Sequence, residues 1–293
     1  MSPGRCGRAV RNVLDLDSAQ WTQALGEGLG AQLTRLRDGG TVACFKAGPF
    51  RVAYPDFLIG SSAVLDAQAL DERVAAAAGL RADLIRLQAA QAPVDARVQA
   101  VHSIGSIAIG RLADWQERSW EKARRAGNRA PRSPLRLRPG RAEDGAQIDR
   151  LYQATLRRHG GSIRYNRRYF ELIAPAAAIV AELDGTICGF VCAGFQRGRA
   201  CYMHGAHDPE ARAHYPSDLL FLEMLRRARE AGMQRFDFLP SPPGQSSLSA
   251  YKRAWGGSDE ALTVSDLALR PLRAKGFSIA LRLSKAVDSF RRG

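Results

Sequence analysis

The chain is poor in the residues that build metal centres and disulfide frameworks. Its five cysteines, at positions 6, 44, 188, 192 and 201, form no zinc-type pairs. Cys188 and Cys192 lie four apart in a strand-like run, which puts them on one face as small core residues. His204 and His207 have no neighbouring cysteine or paired carboxylates. The expectation is no metal site and reduced thiols in a cytoplasmic setting. An apolar run of about 18 residues is also missing, which argues against a spanning helix. The start, Met1 to Cys6, is basic and leads into Asn12-Val13-Leu14-Asp15 without an apolar stretch, unlike a signal peptide. Acids are scarce: 43 Lys and Arg stand against 29 Asp and Glu, an excess of +14. From Glu117 to Arg141 nine basic residues face two acidic ones. Such a field favours polyanions: nucleic acid, anionic lipid or phosphorylated substrates.

What is present is a globular chain, 45% apolar and 25% charged, long enough for two domains. A helix capped by Ser18 runs to about Gly28. Strands are read at Thr41 to Lys46, Phe50 to Tyr54, Asp83 to Leu87 and Ser103 to Ile109, with a helix from Ala67 to Ala78. A basic helix over Leu112 to Arg125 passes into Arg129-Ala130-Pro131-Arg132-Ser133-Pro134, the expected boundary. Beyond it come a strand at Leu135 to Pro139, a helix at Glu143 to His159 and two strands joined by Asp184-Gly185, a hairpin signal. A third strand from Ala200, a helix ending at Gly232, and strands at Arg235 to Leu239 and Ala261 to Leu269 complete the order. The expected domains are 1–130, 131–272 and a basic amphipathic C-terminal helix, 273–293. In that last segment Ile279, Leu283, Ala286 and Phe290 recur at helical spacing among Arg282, Lys285, Arg291 and Arg292. It suits docking on its own lobe or an anionic membrane surface.

Two stretches carry chemistry. Arg235-Phe236-Asp237-Phe238-Leu239-Pro240-Ser241 places an acid at the end of an apolar strand. Tyr251-Lys252-Arg253-Ala254-Trp255-Gly256-Gly257 places a lysine in an aromatic and glycine setting.

The order strand, helix, three antiparallel strands, helix, strand resembles the GNAT acyltransferase fold. Four places resemble its FemAB-like and BioF2-like (CelD-type) branch: Trp120 to Gly127, Tyr202 to Ala206, Tyr215 to Leu220, and Phe236-Asp237-Phe238 with Tyr251 to Gly256. The resemblance spans residues from about 115 to 270. It implies an α+β protein of tandem GNAT-like lobes, mixed mostly antiparallel sheets flanked by helices, the N-terminal lobe degenerate. It further implies bacterial transfer of an acyl or aminoacyl group to an amine acceptor, in cell-envelope or peptidoglycan biosynthesis, with acyl-CoA or aminoacyl-tRNA as donor. The alternative is a catalytically inactive GNAT-derived module that binds polyanions. One departure bears on the donor. Where GNAT enzymes carry a glycine-bearing loop for the coenzyme A pyrophosphate, this chain reads His207-Asp208-Pro209-Glu210-Ala211-Arg212-Ala213-His214, which puts acetyl-CoA in doubt.

Amine acylation needs a neutral amine, an acceptor for its proton and stabilisation of the oxyanion. The resemblance makes Lys252 the oxyanion stabiliser, with Tyr251 and Trp255 excluding water around it. Asp237 is expected to accept the amine proton or orient Lys252, or else to cap the next turn with Ser241. Tyr202 and His204 share a strand face toward substrate. Arg167 and Arg168, interleaved with Tyr165 and Tyr169, would grip a phosphate or stack on a base. Lys122, Arg124 and Arg125 are the expected contacts for a polyanion such as tRNA. Asp218, near a helix start, is expected to cap it. The location implied is cytoplasmic, with peripheral contact at the inner membrane.

Overall fold

A computed structural model describes residues 13–60, 65–160, 163–240 and 246–290, with 284–290 as backbone only. The strands are β1 (Leu14–Asp15), β2 (Gln32–Arg35), β3 (Thr41–Ala47), β4 (Phe50–Pro55), β5 (Leu84–Ala89) and β6 (Val98–Ile109). After them come β7 (Arg136–Pro139), β8 (Ala178–Leu183), β9 (Thr186–Gln196), β10 (Arg199–His207), β11 (Arg235–Asp237) and β12 (Ser258–Ala268). The helices are α1 (Ala19–Gln23), α2 (Ala67–Gly79), α3 (Glu121–Arg129) and α4 (Gly145–His159). Next are α5 (Arg167–Ala177), α6 (Pro216–Glu230), α7 (Ser246–Arg253) and α8 (Pro271–Phe290).

Two compact units divide the chain, and neither is one continuous stretch. One comprises Met1–Ala24 with Ser106–Glu260, the other Leu25–Gly105 with Ala261–Gly293. This differs from the expected consecutive division. Helix α3 buries Ala123 and Ala126 in the same core as Leu219 and Leu225, so the basic helix belongs to the 106–260 unit. Strand β12 bonds antiparallel to β5 from Thr263↔Ala89 to Ala268↔Leu84, so it completes the sheet of the 25–105 unit.

In the 106–260 unit β7, β8, β9 and β10 form an antiparallel series. Its tight turns suit their residues: Asp184 and Gly185 adopt φ of 50° and 78°, the left-handed pair that joins twisted strands with least strain. After α6 the chain returns as β11, parallel to β10, and the end of β6 pairs antiparallel with β11. The face of α6 bearing Leu219, Leu222 and Leu225 fills the core beneath with Val191, Phe236 and Phe238. The other unit repeats the plan with β2, β3 and β4 antiparallel, α2, and β5 parallel to β4. Its core joins Val42, Ile85 and Leu87 to Leu70 and Ala77 of α2. The start of α8 packs Ala274 and Phe277 against Val52 and Leu84.

The basic helix is shorter than its charge pattern suggests. Residues 112–119 form two single turns of 3₁₀ helix, and the α-helix begins at Glu121. Of the lysine segment, Tyr251 to Arg253 form the last turn of helix α7, and Ala254 to Gly256 turn beyond it.

Candidate active site

Strands β10 and β11 pair for only three residues, Arg199↔Arg235, Ala200↔Phe236 and Cys201↔Asp237. Past them β10 runs on to His207 beside β9, while the Phe238 N–H turns away to the Ile107 carbonyl. The strands therefore part at Tyr202 and Asp237. Leu239, the second residue beyond β11, takes the left-handed conformation at φ 59°, which a branched residue adopts only when its surroundings impose it.

Asp237 imposes it. One carboxylate oxygen accepts from the Leu239 N–H and from Ser106 Oγ, both at 2.8 Å. The other faces Arg199 at 3.5 Å and Arg235 at 3.6 Å. Lys252 then donates its ammonium to the Leu239 carbonyl at 2.6 Å. Its residue is 2% exposed. Burial lowers its pKa from the ordinary 10.5 to about 8, against the opposing pull of the Asp237 charge. An ammonium has three donors, so the bond to Leu239 leaves two for another acceptor. Trp115 Nε1 donates to the Trp255 carbonyl at 2.7 Å and fixes the end of α7.

Beside this lysine lies a layer of aromatic rings. Phe221 stacks on Trp255 at 5.7 Å and meets Tyr202 at 5.0 Å and Tyr251 edge-on at 5.3 Å. Gly205 makes room for the Tyr202 hydroxyl, since a Cβ there would approach its oxygen to 2.8 Å. The Tyr251 hydroxyl donates to Asp218 at 3.1 Å, and burial followed by the Asp218 charge raises its pKa well above the ordinary value. Asp218 is not a cap: the N-cap of α6 is Tyr215, which makes no side-chain cap bond. Its buried carboxylate instead meets Lys122 at 3.4 Å and Arg129 at 3.3 Å, and the Arg129 guanidinium lies 3.8 Å from the Tyr215 ring centre. A carboxylate thus occupies the first turn of the helix whose N-terminus would otherwise attract phosphate.

Several expected residues take other places. His204 lies among Tyr152, Tyr165, Tyr169 and Phe170 and bonds the Tyr169 hydroxyl at 2.8 Å. Burial lowers its pKa to about 3, so it stays neutral. Tyr169 is fully buried. Tyr165, ahead of α5, and Tyr169, within it, are buried, while Arg167 and Arg168 lie outside, paired with Glu171, so they form no mixed stacking surface. Lys122 turns toward Asp218, while Arg124 is exposed and Arg125 pairs with Glu121. Ser241 lies outside the described residues. The sequence reading missed Ser106, Arg199, Arg235 and Arg129. Ser106 and Arg199 reach Asp237 from strands distant in sequence, Arg235 reaches it from the same strand, and Arg129 reaches Asp218 from α3.

Residues 117–253 match the acetyltransferase (GNAT) domain family. No curated protein matches the chain. Among solved structures it is similar to FemX, at 15% identity over 90% of this chain and 94% of that one, with a TM-score of 0.61. It is also similar to the C-terminal domain of a lysylphosphatidylglycerol synthetase from Agrobacterium fabrum, at 17% identity, covering 91% and 92% of the two chains, TM-score 0.59. The L-PGS structure from Bacillus licheniformis aligns at 14% identity over 93% of this chain and 98% of that one, TM-score 0.58. Residues 117–253 match a GNAT acetyltransferase domain, and the chain shares the tandem GNAT-like fold of these structures.

Proposed function

We propose that the 106–260 unit transfers an acyl group, an aminoacyl group foremost, to an amine acceptor in cell-envelope or peptidoglycan biosynthesis. The observation that carries this reading is Lys252: a buried ammonium with a lowered pKa, held where β10 and β11 part, with donors to spare. The acceptor nitrogen attacks the donor carbonyl, and the oxygen that gains charge is met by Lys252. The carbon–oxygen bond of the ester then breaks, and the leaving hydroxyl takes up the proton shed by the amine. A fixed donor of this kind contributes about 100-fold or more in rate. Asp237 acts as a positioning residue, since it fixes the Leu239 backbone that Lys252 grips. Tyr251, Trp255 and Tyr202 keep the surroundings of the ammonium dry.

Asp218 with Lys122 and Arg129 already occupies the first turn of α6 as an ion cluster, where a pyrophosphate would have to displace it, which supports aminoacyl-tRNA over acyl-CoA. The similarity to FemX and to lysylphosphatidylglycerol synthetase supports an envelope acceptor. Purified protein should be given labelled aminoacyl-tRNA or labelled acetyl-CoA with a bacterial envelope-precursor extract, beside Lys252→Met. Label transfer from aminoacyl-tRNA that is lost in the variant supports the reading. Transfer from neither donor, with retained binding of tRNA, would replace it with the polyanion-binding module.

A further inference from the structure

Among its described residues helix α8 has two apolar faces, and one of them is packed in the core. Ala274 and Phe277 are buried against Val52, Leu84 and Ala268, and Arg273 donates to Asp83 at 2.6 Å. Those contacts fix which way the helix faces. Leu272, Ile279 and Leu283, at i, i+7 and i+11, recur within about 40° of one line at 100° per residue. They lie on the opposite side, at 88%, 51% and 63% exposure. A stripe of three large aliphatic side chains in water is unusual where single exposed ones are not. Lys275 and Arg282 are exposed beside it, and the sequence holds no Asp or Glu from residue 267 to 287.

We infer that this face of α8 binds the surface of an anionic membrane. The stripe supplies apolar area to the acyl boundary, and the flanking cations sit at the level of the headgroups. Among the described residues no helix is long and apolar enough to cross a membrane, so α8 would lie in the interface. A second copy of this chain fits the face poorly, because it would bring cation against cation. The inference is independent of the acyl-transfer reading.

The test is co-sedimentation of the full chain with vesicles of phosphatidylcholine alone or mixed with phosphatidylglycerol. Wild type is expected to pellet with the anionic vesicles, less so at high salt, and not with the neutral ones. The combined variant Leu272→Ser, Ile279→Ser, Leu283→Ser should bind about tenfold or more weakly with an unchanged melting temperature, since these side chains are exposed. Lys275→Glu with Arg282→Glu should lose the preference for anionic lipid, and it decides the matter if the triple variant melts early. Equal binding by wild type and variants overturns the inference. So does absence of wild-type binding to anionic vesicles, whether the stripe then proves to hold a dimer or an acidic protein partner.

Discussion

In the unit of residues 25–105 and 261–293, strand β5 runs for six residues, with β4 on one edge and β12 bonded along the whole of the other. In the 106–260 unit the strand in the same place, β11, stops after three residues, at Asp237. The plan up to that point is shared: three antiparallel strands, a helix, then a strand parallel to the third. Where the strand continues, the ladder satisfies its carbonyls and the region is filled by side chains such as Ile85 and Leu87. Where it stops, the Leu239 carbonyl lies off the ladder and is met by a side chain, Lys252. A few residues of strand thus separate a packed sheet from a place where a buried cation stands ready. The charged centre of the 25–105 unit is of another kind: Arg73, 2% exposed, reaches Asp38 at 2.7 Å and Asp56 at 3.3 Å and ties α2 to the sheet ends.

Breaking that second centre should have the largest effect on folding. Arg73→Met leaves Asp56 buried without its cation and is expected to cost about 3–5 kcal/mol in urea unfolding, with turnover per folded molecule unchanged. Lys252→Met is expected to reduce turnover about 100-fold while its alkyl chain keeps the packing. Lys252→Ala is a poorer probe, because it also opens a cavity, while both variants leave the Leu239 carbonyl without its donor. Asp237→Asn should lower stability by about 1–3 kcal/mol and raise KM and lower kcat together, as the Leu239 turn loosens. A loss of stability with both kinetic constants intact would show Asp237 to be a tie in the sheet and nothing more.

The smallest effects are those of pH. A charged Lys252 is needed for oxyanion stabilisation, so turnover should fall as pH rises through about 8, the pKa that burial gives it. The stability term has the opposite sign. Below pH 8 the lysine is charged in both states and its term is constant. Between about 8 and 10.5 the unfolded chain keeps a proton that the folded one has lost, so folding gains with pH. The stability difference between wild type and Lys252→Met, followed across that window, should move in favour of wild type.

Much of the fold could be read from the residues. Asp184-Gly185 and Arg197-Gly198 are turns with the backbone their glycines allow, and Ser18, Gly160 and Gly232 bound helices where their chemistry places them. The pairing of β12 with β5 could not be read, because an alternating apolar strand states which face it buries and not which partner it takes. Helix α7 was obscured by Tyr251 and Trp255, whose local pattern says nothing of the core that holds them. In the site, Lys252 and Asp237 were legible from their setting in aromatic residues. The partners of Asp218 were not, since Lys122 and Arg129 on α3 and Tyr251 on α7 all lie far from it in sequence. His204 illustrates the converse. A strand histidine looks like a ligand group until Tyr169 and its neighbours close over it.

The pairing of β12 with β5 also sets an order of events during synthesis. Residues 25–105 leave the ribosome first, yet their sheet lacks its last strand until residues 263–268 have emerged. The 106–260 unit, with β1 laid against Gly194 and Phe195, holds all of its strands earlier. The later-made part of the chain is therefore the first able to close its core, and the nascent 25–105 stretch waits with the edge of β5 open.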